Sequence, residues 1–198
     1  SPYPPLMELA NHRTTTAAVL RALAEHRGLW VLGVPLPSGG HVPRTFHVDG
    51  REVLPVFTSE ASFDAFVARW GAPPIAIRDN HGSALFGRMP PSIATVHVDP
   101  EIALSLAINE SELGALRAVA QAVAVERLLE RPDDPAFGAT LRGYDGFRVP
   151  LVRAADGSHR LLIVQGPAGE PLAAVLTAED CVAPLLATRP DVAAQVSV

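Results

Sequence analysis

The chain has 198 residues, 48% of them apolar, with 16 basic and 21 acidic side chains and a formal net charge of −5. That apolar content supports a packed core and excludes global disorder, and the length allows one domain or two small ones. Every basic residue is arginine and the arginines form no run, so the concentrated positive face that nucleic acid demands is not expected.

Residues 1–13 read as an extended N-terminal segment. Thr14, Thr15 and Thr16 offer an N-cap for a helix over 17–26, which Gly28 stops. Residues 29–36 are apolar and bounded by Pro37-Ser38-Gly39-Gly40, the pattern of a buried strand and a turn. Residues 44–48 alternate, Asp49-Gly50 signals a hairpin, and 51–57 is its partner strand. Thr58 or Ser59 caps the next helix, with Glu60 at the positive end of its dipole and Gly71 at its stop. Short strands are expected at 74–78, 93–98 and 102–108, with one helical turn at 83–89.

Asn109-Glu110-Ser111-Glu112 resembles a capping box and opens the longest helix, 110–131. Its buried face is Leu113, Leu116, Ala120, Val123 and Leu128. The span 113–129 also contains Arg117, Gln121, Glu126 and Arg127. No segment therefore offers the roughly 20 apolar residues of a membrane span. Strands follow at 147–153, 159–165, 172–176 and 192–198, with Asp156-Gly157 as a hairpin turn and a helix at 178–187. Hairpins beside single helices indicate α+β with mixed sheets rather than a doubly wound parallel sheet.

One segment occurs twice. Val53-Leu54-Pro55-Val56-Phe57-Thr58-Ser59-Glu60 is matched by Leu172-Ala173-Ala174-Val175-Leu176-Thr177-Ala178-Glu179, and Val34-Pro35-Leu36 by Val149-Pro150-Leu151. The two offsets are nearly equal. The expected architecture is two related small α/β units with mixed β-sheets and flanking helices, an internal duplication. The first unit covers 14–109, a connecting helix 110–131, and a degenerate or C-terminal unit 132–198. The two sheets pack on one another or pair between two chains as a homodimer.

The core Leu54-Pro55-Val56-Phe57-Thr58-Ser59-Glu60, the helix to Trp70-Gly71 and the segment Thr95-Val96-His97-Val98-Asp99-Pro100 resemble the N-terminal domain of the bacterial SseB family, the enhanced serine sensitivity proteins. The likeness spans about 17–113. Family strands typically end in Asn-Pro, where this chain has Asp99-Pro100. The resemblance implies a small α/β domain with no established catalytic set and no cofactor. It also implies a non-enzymatic protein-interaction or accessory role, secretion-associated in some settings.

The residues offer one different class of function. His47-Val48-Asp49 and His97-Val98-Asp99 are two His-x-Asp triplets. On neighbouring strands they would gather imidazoles and carboxylates for a divalent metal or a small-molecule hydrolase built on His47, His97 and Asp99. The plainer reading gives Asp49 to the Asp-Gly turn and Asp99 to a cap on the turn at Pro100. Cys181 is the single cysteine, so no intrachain disulfide forms. It falls near a helix start, but Glu179 and Asp180 oppose a thiolate and the nearest histidine in sequence is His159. Gly166-Pro167-Ala168-Gly169-Glu170 lacks the Lys and Ser/Thr of a phosphate loop and reads as a hairpin loop.

Thr58-Ser59-Glu60 reads as capping, and any ligand is expected at these strand ends and the helix N-termini that follow. Trp30, Phe46, Phe57, Phe63, Phe66 and Trp70 all fall in the first unit, mostly as core, some as a protein-binding patch. No catalytic, cofactor or metal residue is assigned. The expectation is a cytoplasmic protein with a protein partner, no nucleic acid and no membrane span; Ser1-Pro2-Tyr3-Pro4-Pro5 has no charged leader before an apolar run.

Overall fold

A computed structural model describes residues 17–71, 75–100, 102, 105–131, 133–178, 181–187 and 196–197. The segment at 1–13, the threonine cap at 14–16 and most of the strand expected at 192–198 lie outside the described residues. The chain divides into two compact units, 1–124 and 125–198.

In the first unit, helix α1 (Ala17–Glu25) leads into strands β1 (Leu29–Pro35), β2 (His41–Pro43), β3 (Phe46–Val48) and β4 (Arg51–Phe57). Helix α2 (Glu60–Trp70), β5 (Ile75–Asn80), the short α3 (Gly82–Gly87), β6 (Ile93–Val98), β7 (Leu106–Asn109) and α4 (Glu110–Leu129) follow. The strands make one mixed sheet of seven, in the order β2-β1-β4-β6-β7, with β3 on β4 and β5 on β1. Only β4 and β6 run parallel, because α2, β5 and α3 carry the chain back between them.

The Asp49-Gly50 hairpin forms as its sequence predicts, both residues having positive φ, at 51° and 77°. One sheet face packs under α1, α3 and α4, burying Leu23, Val31, Val56, Phe86, Val96 and Leu116. On α4 the expected residues Leu113, Leu116, Ala120 and Val123 are buried and Leu128 is half-buried. The capping-box contact also forms, Asn109 N–H donating to Glu112 Oε2 at 3.2 Å. The opposite face carries a second core of Leu32, Phe57, Phe63 and Phe66 against α2.

The second unit contains α5 (Phe137–Gly143), β8 (Leu151–Arg153), β9 (His159–Leu161), β10 (Ile163–Gln165), β11 (Pro171–Ala173), α6 (Val182–Ala187) and β12 (Val196–Ser197). They form two small sheets, β12-β8-β9 and β10-β11. The single strand expected at 159–165 is split at Leu162, which turns inward and is buried. Its N–H donates to Pro150 and its carbonyl accepts from Ala174.

The fold is thus α+β with mixed sheets and flanking helices, and no duplication is shown. The matched segment is one seven-residue strand in the first unit. In the second it breaks into β11 and an isolated bridge from Leu176 to Arg148. Strand β2 and helix α5 were not expected, since three exposed residues and a Gly-flanked helical stretch carry little periodicity.

Candidate functional site

One end of the large sheet gathers most of its buried polar groups. β4 and β6 are parallel, so Thr58 and Asp99 emerge side by side from their C-terminal ends. β1 runs against β4, and β5 against β1, so His26 before β1 and His81 after β5 reach the same end. In open sheets this is the end where ligands are bound.

Asp99 is the centre. It is 6% exposed and holds a left-handed φ of 49°. Its Oδ1 accepts from the Thr58 N–H at 2.7 Å and the Ser62 hydroxyl at 2.6 Å; its Oδ2 accepts from the Thr58 hydroxyl at 2.5 Å. The carboxylate thus ties the end of β6 to the start of α2. Ser59, not Thr58, is the N-cap of α2, its hydroxyl accepting from Ser62 N–H at 3.2 Å. The capping role expected of Thr58 is corrected accordingly, as is that of Asp99: its side chain serves α2, and only its backbone carbonyl receives the Ile102 N–H. Ser62 and His26 were missed; Ser62 lies 37 residues from Asp99 and His26 farther still, beyond any local pattern.

His26 sits beside this cluster, 7% exposed. Burial pushes its pKa from 6.5 down to about 4; the Asp99 carboxylate opposes the shift and His81 adds to it. His81 in turn caps α3, its Nδ1 accepting from Ser83 N–H at 3.2 Å. Because the folded state keeps His26 neutral, the unfolded chain binds more protons between pH 6.5 and 4. Stability is therefore fully present above pH 6.5 and falls on acidification through that window. We expect His26 to remove about 2 kcal/mol between pH 7.5 and 5. Urea unfolding at the two pH values measures this, and His26→Leu should flatten the profile. An unchanged profile in that variant would refute the assignment.

The paired His-x-Asp triplets do not meet. His47 is exposed on β3 opposite Glu52. His97 is half-buried on β6 opposite Pro55. Three positions of β4 separate the two registers, roughly 10 Å along the strand. Glu52 is the acid that faces His47, and hydrogen bonds from Thr45 and Ser92 hold its carboxyl below the ordinary range. Asp99 is committed to three donors. Among the described residues no group of His, Cys, Asp or Glu is arranged to hold a metal.

In the second unit Cys181 is half-buried, its thiol 3.7 Å from Glu126 Oε1 and 3.6 Å from the Thr177 hydroxyl. His159, the nearest histidine in sequence, is exposed on β9. Thr177 donates to the same Glu126 oxygen, and the Tyr144 hydroxyl donates to the Thr177 carbonyl. The grouping Thr177, Cys181 and Glu126 repeats that of Thr58, Ser62 and Asp99. Its carboxylate comes from a helix rather than a strand end, so the likeness is local. Gly166 to Glu170 is a hairpin loop between β10 and β11, Gly166 N–H donating to Glu170 O at 2.8 Å.

The aromatic residues divide clearly. Phe57, Phe63 and Phe66 are buried, Trp30 and Phe46 half-buried, and Trp70 is 61% exposed. Their rings form a chain: Trp30 to Phe63 at 5.1 Å, Phe63 to Phe57 at 5.3 Å, and Phe66 to Phe57, Phe46 and Trp70 at 5.3, 6.0 and 6.3 Å.

The family described as SseB protein N-terminal domain matches residues 5–115. No curated protein matches the chain. One solved structure, described as Anabaena Tic22 (protein transport), aligns over 93% of this chain and 81% of its own. It does so at 10% identity and a TM-score of 0.25, too low to bear on fold or function. Among the described residues no helix is long and apolar enough to cross a membrane.

Proposed function

This chain belongs to the SseB family, and on that premise we propose that it is a non-enzymatic accessory protein that acts by binding another protein. The proposal places it in the cytoplasm, in a secretion-associated role. The observation that carries the reading is Trp70, 61% exposed at the end of a chain of packed aromatic rings. A large exposed aromatic side chain is a typical anchor for a protein partner. The proposal keeps 14–109 as the family unit, 110–131 as a connecting helix and 132–198 as a related unit.

The test is a tagged pull-down from lysate of the source organism, read by mass spectrometry against tag alone and against Trp70→Ala. We expect one stoichiometric partner that the variant loses. Recovery of no partner, or equal recovery by the variant, counts against the reading. Light scattering of the purified chain separates a homodimer from a foreign partner.

A further inference from the structure

We propose that the protein-binding surface is a rim of arginine-capped rings that takes an acidic segment of a protein partner. Three guanidinium groups lie over rings of one aromatic cluster: Arg44 over Phe46 at 5.0 Å, Arg69 over Trp70 at 5.4 Å and Arg78 over Trp30 at 4.2 Å. All three arginines are exposed. They come from the β2–β3 connection, the last turn of α2 and β5, so the fold alone brings them together.

Two local features aim them. Between Leu29↔Asn80 and Val31↔Ile77 the register slips, so two residues of β5 oppose Trp30. Such a bulge re-aims a side chain, here Arg78. The Arg44 N–H donates to Leu32 O at 2.8 Å, which pins its backbone to β1. Neither Arg44 nor Arg78 joins an ion pair with a described residue. Both guanidinium groups lie against rings and are exposed to an incoming carboxylate.

Charge complementarity selects the occupant. The chain carries −5 overall, yet this rim is cationic. Arginine and aromatic groups together are the composition of protein hot spots, and arginine binds carboxylates through two parallel hydrogen bonds. A single-stranded nucleic acid would need open ring faces for its bases. Here guanidinium groups lie over those faces.

The inference rests on the protein-binding reading above and is separable from it. Both tryptophans of the chain, Trp30 and Trp70, lie in this rim, so intrinsic fluorescence reports on it directly. We expect an oligo-glutamate peptide to shift their emission saturably, and more strongly at low salt than at high salt. Arg78→Gln and Arg44→Gln should each weaken binding about fivefold, with unchanged melting temperatures because both side chains are exposed. Arg153→Gln, exposed on β8 in the other unit, should bind as the parent does. No saturable shift, binding by the two rim variants as tight as by the parent, or tighter binding of oligothymidylate would each overturn the proposal. A pull-down partner retained by the Arg44→Gln/Arg78→Gln double variant would sink this surface while leaving the protein-binding reading intact.

Discussion

Replacing Asp99 by alanine should lower the stability of the protein by about 4 kcal/mol, whereas Asp99→Asn should cost under about 1 kcal/mol. The alanine variant strands the Thr58 N–H and removes the acceptor of two hydroxyls, all in a buried setting. An unsatisfied buried donor costs about 1–3 kcal/mol, more when the lost partner was charged. Alanine also adopts poorly the left-handed backbone found at Asp99. Asparagine keeps nearly all of this. Its Oδ1 accepts from Thr58 N–H and Ser62, its amide can donate to the Thr58 hydroxyl, and it tolerates φ near 49°. Urea denaturation of both variants decides the matter. Equal losses would mean that the negative charge itself is required, and would reopen a chemical role for Asp99.

The sequence was most legible where the determinants are local. β4 and β6 match their expected bounds to the residue, because Asp49-Gly50, Thr58 and Pro100 punctuate apolar runs. The buried face of α4 followed from helical spacing. Failures cluster where the deciding partner is distant. Thr58 and Ser59 are equally good caps in isolation, and only Asp99, 41 residues on, claims Thr58. His47 and His97 share a triplet, but β3 and β6 are separated by β4, so the triplets never face each other. The repeated segment was a real sequence signal. It supplies the threonine of each grouping but neither carboxylate, and strand continuity also needs neighbours on both sides. β4 has β1 and β6, while β11 has β10 alone. The arginine rim was invisible for the same reason: Arg44, Arg69 and Arg78 come from three elements, and a scatter of arginines in sequence became a cluster only through the sheet.

The second large effect is expected at Gly82, where α3 begins against the end of α1. The Gly82 N–H donates to His26 O at 2.9 Å, so the two backbones are in direct contact. A Cβ at Gly82 would lie 2.9 Å from Ala24 O and closer still to Leu23 O. Both are main-chain atoms of a packed helix, whose buried Leu23 and Ala24 prevent it from giving way. In an unhindered helix, glycine to alanine gains up to about 1 kcal/mol. The overlap should overwhelm that gain, and Gly82→Ala is expected to lose about 3 kcal/mol. Gly114 supplies the internal comparison, since it lies within α4 and a Cβ there meets nothing within 4 Å. Gly114→Ala should therefore stabilise, by about 0.5–1 kcal/mol. Opposite signs in thermal or urea unfolding establish that α1 and α3 meet backbone to backbone. A neutral Gly82→Ala would mean that α3 can slide away from α1.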